Sequence, residues 1–356
     1  HLNFSQEALT IYLDLVATAI AADIVPMEGE NRTLTFLGLQ QFQENPRIGL
    51  QFFLKTLKKP IKVTDLVFVI APRINAAGRM DQGLSAVELL MSDNLELALP
   101  KARSIDFFNT ERRSTDERIT VEALQQIVLN EETTCFSTVV FHPSWHKGVI
   151  GIVASRLIET YYRPTVVLTE SEGVLSGSVR SVSGFDVYQA LEACSEFMIQ
   201  FGGHKYAAGL TLKPEQLTGF KQCFEAYAEA HLLPEQLQPT YSYDLELQFD
   251  ALTPKLYRII NQMAPFGPKN MRPVFVTHLC KDAGGTRAVG KENNHLKLEI
   301  IDAAGIPFQG IAFGMAQYLI QIKNQQSFSL LYTLEENEYN GIAFLQLKVK
   351  DIVFTP

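Results

Sequence analysis

The pattern of apolar residues changes at Leu232 to Pro239, and this change constrains the fold more than any other feature of the sequence. Over residues 136–230, short apolar strands alternate with helical segments, which is typical of an α/β domain. The stretch that follows is linker-like and carries two prolines. Beyond it, short strands separated by turn residues predict a small barrel of the OB type. The predicted barrel strands are Val274 to Leu279, His295 to Ile301, Phe308 to Phe313, Phe328 to Leu334 and Phe344 to Val353.

The first third of the chain has a mainly helical pattern. Residues 1–60 are predicted to form helices with one strand, and residues 82–130 to be helical almost throughout. Asn94 is predicted to cap the longer of these helices. A long helix with a narrow apolar stripe suits a connector between domains. The predicted fold class is therefore α/β plus all-β.

The composition is ordinary for a soluble globular protein. The chain has 356 residues, of which 46% are hydrophobic and 20% charged, and it has no apolar run of about 18 residues that would predict a membrane span. The net charge of −8 disfavours a general polyanion binder, although local basic patches bind nucleic acid in acidic proteins too. The four cysteines are far apart without a C-x-x-C pair, so we expect reduced thiols in a cytoplasmic protein and no zinc site.

The strongest local motif is the segment Phe201 to Gly209. Its paired glycines, Gly202 and Gly203, let backbone N–H groups approach a phosphate closely, because no Cβ intervenes. His204 follows them and offers a donor to a phosphate oxygen or to a base. The alternative is a glycine turn before a strand, with a histidine satisfied in the core. The spacing alone leaves both interpretations open.

A second motif lies on a predicted strand that ends near Ser181. Strand alternation places Ser176, Ser178 and Arg180 on one face of it. A guanidinium flanked by hydroxyls is suited to clamping a phosphate with two hydrogen bonds. The alternative is an arginine on a solvated strand edge.

A third motif runs from Pro72 to Asp81. It places Arg73, Asn75 and Arg79 around a glycine-containing turn. Such a turn either grips a phosphate or is a helix end tied down by salt bridges.

A fourth motif runs from Trp145 to Arg156. A helix that begins after Gly148 attracts anions to its N-terminus. His146, at the helix start, is a candidate polar contact. Trp145, the only tryptophan of the chain, either stacks on a base or packs in the core.

Asp23 is a candidate metal ligand, because it directly follows an apolar helix. A two-metal hydrolase needs several carboxylates and histidines that converge on the metals. The sequence contains no D-x-D and no Asp-His-His triplet. Alone, Asp23 is a weak signal.

Taken together, these segments resemble the RecJ family of the DHH phosphoesterase superfamily. Leu13 to Pro26 looks like the last motif of the DHH domain, and Pro72 to Arg79 is similar to the segment after it. Trp145 to Arg156 and Phe201 to His204 resemble the two signatures of the DHH-associated domain. Ala264 to Pro268 opens what looks like the family's OB domain. The five motifs occur in the family's order.

The resemblance implies a domain organisation of four parts. These are the C-terminal end of an α/β DHH catalytic domain (1–80), a helical connector (81–132), an α/β DHH-associated domain (133–232) and an OB-like nucleic-acid-binding domain (240–356).

The resemblance also implies an activity: a 5′-to-3′ exonuclease that acts on single-stranded DNA in repair and recombination, with Mn²⁺ or Mg²⁺ as cofactor. It implies that Asp23 is one metal ligand. It implies that the 5′-terminal phosphate or nearby backbone is held by Ser178 and Arg180, with Arg79 or Arg73, and that Gly202, Gly203 and His204 line the same cleft. Asn75 and His146 are further predicted phosphate contacts.

The predicted partners are single-stranded DNA and, as a candidate, a helicase or single-strand-binding protein, with no membrane. The family's Asp-rich strand motif and Asp-His-His motif do not occur in this sequence, so we expect the chain alone to have little or no hydrolytic activity. Two alternatives stand beside this interpretation. The first is a relative that cleaves short RNAs or cyclic dinucleotides, which the barrel at residues 240–356 disfavours because such proteins usually end after the DHH-associated domain. The second is a non-catalytic single-strand-binding or scaffold protein built from the same domains.

Overall fold

The computed structural model describes residues 9–55, 57, 60–80, 83–339 and 341–354, and the backbone alone of Tyr339. Its contacts divide the chain into two compact units. The first holds the described residues of His1–Asn45, Pro60–Thr64 and Tyr241–Pro356, and the second those of Pro46–Lys59 and Asp65–Thr240. In the described part of the chain, no helix is both long and apolar enough to cross a membrane.

Helices make up the described residues before Thr138. They are α1 (Leu13–Ala22), α2 (Gly29–Glu44), α3 (Ile48–Leu54), α4 (Ala71–Met80), α5 (Leu84–Leu90) and α6 (Leu95–Leu129). A short helical turn, Val63–Asp65, and a π-helical turn, Leu66–Ile70, lead into α4. The Asn94 side chain accepts a hydrogen bond from the N–H of Glu96 at 2.7 Å, so the predicted cap of α6 is confirmed. The strand predicted within residues 1–60 was wrong for the described part of that range, which contains none.

The glycine-containing turn predicted at residues 72–81 was also wrong. Residues 71–80 are helical, and Asp81 lies outside the described residues. Ala71, Ala76 and Ala77 are buried and give α4 a core-facing side. This packing outweighs the helix cost of Gly78, which is about 1 kcal/mol relative to alanine.

The second unit contains a five-stranded sheet with helices on both faces. Its elements are β1 (Thr138–Phe141), α7 (Ile150–Thr160), β2 (Thr165–Ser171), β3 (Val174–Arg180), α8 (Val187–Ala193), β4 (Met198–His204), β5 (Ala207–Leu212) and α9 (Leu217–His231). The strand order is β1-β2-β3-β5-β4, in which β1 and β2 are parallel and the other pairs antiparallel. Because β4 and β5 form a hairpin, the segment around Gly202 and Gly203 is an edge strand and not a turn.

The two faces of this sheet are covered unequally. On one face, Val166, Leu168, Val179 and Leu210 join the core formed with α8 and α9. On the other, α6 and α7 pack over β1 and β2 through a cluster that includes Val140, Val153 and Val167. The part of this second face that belongs to β3, β5 and β4 carries small and polar residues.

The C-terminal strands of the first unit close into a barrel. The elements are β6 (Leu245–Glu246), α10 (Pro254–Gln262), β7 (Phe275–Asp282), β8 (Arg287–Val289), β9 (His295–Ile301), β10 (Pro307–Ala312), α11 (Leu319–Lys323), β11 (Phe328–Tyr339) and β12 (Ile342–Phe354). β7, β9, β10, β12 and β11 pair in a closed ring, with β10 and β12 parallel. The helix α11 lies between β10 and β11 in the chain. This ring confirms the predicted OB-like barrel.

Within the same unit, the turn around cis Pro265 contacts the segment before α2. The N–H of Met27 donates to the carbonyl of Pro268 at 2.6 Å. The guanidinium of Arg32 donates to the carbonyls of Met263 and Ala264, each at 3.1 Å. The two bonds from Arg32 satisfy carbonyls directly after α10, where the helix offers no backbone partner.

Candidate anion-binding pocket

Strand register brings three small residues into one row across the sheet. Ser178 of β3 pairs with Gly209 of β5, and Gly209 pairs with Gly202 of β4. Side chains that alternate along a strand share a face every second residue. The row therefore has a hydroxyl at one end and two positions without a Cβ beside it.

The neighbouring rows on the same face carry polar side chains. Two residues along on one side, Ser176 pairs with Thr211, and Thr211 with Gln200. Two residues along on the other side, Arg180 pairs with Ala207. The glycine row thus lies between a row of neutral polar groups and a row that begins with a guanidinium.

Helix α7 supplies a wall of the pocket because Gly151 allows its first turn to approach the strand. A Cβ on Gly151 would lie 2.9 Å from the Oγ of Ser178 and 3.0 Å from the Nη2 of Arg180. The N–H groups of a helix's first turn lack intrahelical partners and favour negative charge. The start of α7 and the Ser178–Arg180 pair therefore face the same space.

Arg79, at the end of α4, joins the pocket from outside the sheet. Its Nη1 donates to the carbonyl of Gly148 at 3.1 Å. Gly148 is required at this contact, because a Cβ there would clash with the carbonyl of Arg79 and lie 3.0 Å from the ring of His146. Lys147 lines the pocket beside Gly148.

These groups enclose a pocket of about 500 Å³, which is the size range of small-ligand sites. The lining residues are Arg79, Lys147, Gly148, Ile150, Gly151, Ser176, Gly177, Ser178, Arg180, Gln200, Phe201, Gly202, Gly209, Leu210 and Thr211.

The pocket carries uncompensated positive charge. No ion pair within the described residues joins a carboxylate to Arg79, Lys147 or Arg180. The pKa of Arg180 is lowered from its ordinary value by burial and by the charge of Arg79, yet arginine stays cationic in proteins. Its Nη1 donates to the Ser178 hydroxyl at 3.1 Å and to the Val179 carbonyl at 2.8 Å. An anion in this space would meet two guanidinium groups, an ammonium group and a hydroxyl.

Several residues predicted for phosphate binding lie elsewhere. Arg73 is paired with Asp106 at 2.8 Å and also donates to the carbonyl of Val69 at 2.8 Å. Asn75 is exposed on α4 and does not line the pocket.

The two histidines and the second glycine of the motifs do not line the pocket either. His146 is exposed and accepts the N–H of Gly148 at 3.1 Å. His204 is exposed at the end of β4 and accepts the N–H of Tyr206 at 3.3 Å. Gly203 has a φ of +153°, and a Cβ there would clash with Ala207 and Ala208. Its role in the structure is to permit this tight hairpin.

Asp23 is exposed at the C-terminus of α1, in the first unit. Among the described residues, no group of three or more His, Cys, Asp or Glu side chains converges so that it could hold a metal ion. The described residues therefore do not build a two-metal centre.

The sequence interpretation did not single out Gly151, Gln200, Thr211 or Gly209 as site residues. Alternation along β5 could have placed Gly209 and Thr211 on one face of the sheet, since they are two residues apart on the same strand. Their relation to Ser178 depends on the pairing of β3 with β5, which no local pattern shows.

The two domains that were described above as a sheet with covering helices and a barrel match known domain families. Residues 132–230 match the model of the DHHA1 domain, and residues 243–351 match that of the RecJ OB domain. The chain belongs to the RecJ family.

Similar proteins agree with this assignment. The single-stranded-DNA-specific exonuclease RecJ of Bacillus subtilis is 32% identical over 95% of this chain and 43% of its own length. RecJ of Escherichia coli is 32% identical over 98% of this chain and 62% of its own length. A crystal structure of RecJ from Thermus thermophilus in complex with Mg²⁺ superposes with a TM-score of 0.83 at 26% identity, over 98% of this chain and 52% of that one. The chain thus spans about half the length of the relatives it matches.

Proposed function

We propose that this chain belongs to a 5′-to-3′ exonuclease of single-stranded DNA and that its pocket holds the 5′-terminal phosphate. The observation that carries the proposal is the unpaired positive charge of Arg79, Lys147 and Arg180 beside the Ser178 hydroxyl. A terminal phosphate monoester bears more negative charge than an internal phosphodiester. It therefore gains more from a site with three cations.

The shape of the pocket supports an end-binding role. Gly202 and Gly209 leave open space on the face of the sheet, since a Cβ on Gly202 would have no neighbour within 4 Å and one on Gly209 would meet only the Gly177 carbonyl, at 3.8 Å. A sugar–phosphate unit is able to lie flat against such a backbone surface. Capture of the 5′ end there would set the polarity of digestion.

Hydrolysis is the part that the described residues do not supply. Crystal structures of RecJ from Thermus thermophilus contain Mg²⁺ or Mn²⁺. We propose one of these ions as the cofactor of the whole enzyme. Since Asp23 has no converging set of ligands among the described residues, we assign no catalytic step to this chain. Its proposed role is to bind and orient the strand.

The barrel is proposed to bind single-stranded DNA along one outer face. Register places Arg287, Lys297 and Lys348 in one row, with Ile311 between the two lysines. Phe313, 53% exposed, follows the end of β10 beside His295. Arg287 and Lys348 also pair with exposed carboxylates, Glu299 at 3.6 Å and Glu335 at 3.4 Å, whereas Lys297 has no ion pair among the described residues. Basic side chains beside an exposed aromatic ring are typical of surfaces that bind single strands. The ring of Tyr332 is buried in the barrel core and is not available for stacking on a base.

We further propose a cytoplasmic location, which the four free cysteines support. A helicase or single-strand-binding protein remains a proposed partner.

The test is binding of 5′-phosphorylated single-stranded DNA, compared with a 5′-hydroxyl strand and with a duplex, at two salt concentrations. We expect the phosphorylated strand to bind more tightly than the hydroxyl strand, and Arg180→Ala to abolish that difference. Arg113→Ala, which removes an exposed arginine of α6 outside the pocket, is the matched control. Equal affinity for both strands would contradict the proposed role of the pocket. Binding without manganese-dependent digestion by the whole protein would favour the non-catalytic alternative.

A further inference from the structure

Trp145 lies between β1 and α7, two residues before Lys147 of the pocket. It is 4% exposed and packs with Ile119 and Ala123 of α6. Base stacking, one of its two predicted roles, is therefore excluded by burial. Its position raises the question of what holds this buried ring and the loop that it belongs to.

Two hydrogen bonds tie Trp145 to neighbouring elements. Its indole N–H donates to the Oε2 of Glu122 at 2.8 Å, and its carbonyl accepts the hydroxyl of Thr169 at 2.5 Å. Thr169 belongs to β2 and Glu122 to α6. The loop is thus held between the sheet and the long helix.

The same helix holds the start of the loop and the helix after it. Gln126, one turn beyond Glu122, donates to the carbonyl of Phe141 at 3.1 Å and accepts its N–H at 3.3 Å. Further back along α6, the buried Asp116 pairs with Arg156 of α7 at 2.6 Å. Of these three polar contacts of α6, that of Glu122 is made with the stretch that directly precedes the pocket residues Lys147 and Gly148.

We propose that Glu122 is a positioning residue for the anion pocket: through Trp145 it fixes the segment that carries Lys147 and Gly148. The inference rests on the proposed function, because it assumes that the pocket binds a terminal phosphate. Without an acceptor, a buried indole N–H is left unpaired. The loop would then gain stability by moving the ring toward water, and Lys147 would move with it.

The prediction concerns the Glu122 carboxyl oxygen as an acceptor and not its charge. Glu122→Ala removes the acceptor, whereas Glu122→Gln keeps an amide oxygen for the indole N–H. Glu122 also accepts a hydrogen bond from Arg118 at 2.7 Å. Arg118→Ala therefore removes this ion pair alone, and Glu111→Ala removes an exposed carboxylate of the same helix away from the loop.

Two measurements test the proposal. Hydrogen exchange of the amides of residues 144–152 reports the order of the loop independently of DNA. The ratio of the dissociation constants for 5′-hydroxyl and 5′-phosphorylated single strands reports the pocket. In Glu122→Ala we expect faster exchange in the loop and a ratio reduced about five- to tenfold, the loss expected for one or two hydrogen bonds. In Glu122→Gln, Arg118→Ala and Glu111→Ala we expect both to stay near wild type.

Unchanged exchange in Glu122→Ala would overturn the positioning role, whatever the DNA binding. Faster exchange with an unchanged ratio would overturn it too, because Glu122 would then stabilise the loop without serving the pocket. If Glu122→Ala fails to fold, Trp145→Phe, which removes the bond to Glu122 and keeps an aromatic ring, replaces it. We then expect changes in the same directions but smaller, because no N–H is left unpaired. If wild type shows no preference for the phosphorylated strand, the proposed function itself fails and the inference with it, while the exchange data still show whether Glu122 orders the loop.

Discussion

Gly151 and Arg180 are separated by so little space that a Cβ on the glycine would lie 3.0 Å from the Nη2 of the arginine. The contact joins the first turn of α7 to the third strand of the sheet. It places the backbone of that turn next to a guanidinium and a hydroxyl. The absence of one methyl group at Gly151 is thus what lets the helix and the strand both line the proposed anion site.

Gly151→Ala should therefore weaken binding without weakening the fold. The added methyl would displace the ends of Ser178 and Arg180, and the loss of one charged hydrogen bond corresponds to about 1.5 kcal/mol, or roughly tenfold in affinity for the phosphorylated strand. Alanine is the better helix former by up to about 1 kcal/mol, so the melting temperature should not fall. Titration calorimetry and thermal unfolding measure the two effects. Gly78→Ala is the control, since a Cβ at that helical position meets no atom within 4 Å. Unchanged affinity in Gly151→Ala would show that the contact is not part of the site.

Gly209→Val tests the open surface of the sheet. Its Cβ would meet only the Gly177 carbonyl, at 3.8 Å, and β-branched residues suit strands, so we expect stability at or above that of wild type. The new side chain would stand in the space proposed for the terminal nucleotide. Affinity for 5′-phosphorylated single strands should fall by at least about tenfold, as expected from a clash costing more than 1.4 kcal/mol. A variant that folds and binds normally would show that the ligand does not lie over β5.

The stability supplied by Glu122 should depend on pH. Its pKa is lowered mainly by the hydrogen bond from Trp145. The hydrogen bond from Arg118 and the positive charge of Arg118 lower it further. A carboxyl group whose pKa is lower in the folded state adds stability above its unfolded pKa of about 4.3, and this stability is lost as pH falls through the folded value. The difference in unfolding free energy between wild type and Glu122→Gln should be constant near neutral pH and shrink below about pH 4. Denaturant unfolding at several pH values measures it. A difference that grows on acidification would contradict the assignment.

The outer face of the barrel makes a separate prediction. Phe313→Ala should weaken binding of a 5′-hydroxyl single strand by about 1–3 kcal/mol if its exposed ring stacks on a base. Lys297→Ala should reduce the slope of log affinity against log salt by about 1. Fluorescence anisotropy at several salt concentrations measures both. Val353→Ala, which truncates another exposed barrel residue, should change neither. Full affinity in the Phe313 variant would remove this face from the proposed DNA path.

Local sequence determined the order of the elements and one side of the site. The period of two placed Ser176, Ser178 and Arg180 on one face, because strand alternation depends only on neighbouring residues. Turn residues and short alternating runs likewise predicted the barrel strands, and the observed strands overlap all five of them. The capping signal at Asn94 is equally local, since the bond spans two residues.

Tertiary structure decided which residues meet. Gly202 and Gly209 join Ser178 only because β5 inserts between β3 and β4, a pairing that no local period encodes. Arg79 reaches the pocket from a helix 69 residues before Gly148, whereas Arg73, six residues earlier on that helix, is taken up by Asp106. A short motif predicts the chemistry of its side chains. Their partners depend on long-range packing, in which a single Cβ at Gly151 or a single carboxylate at Asp106 decides what a guanidinium is free to bind.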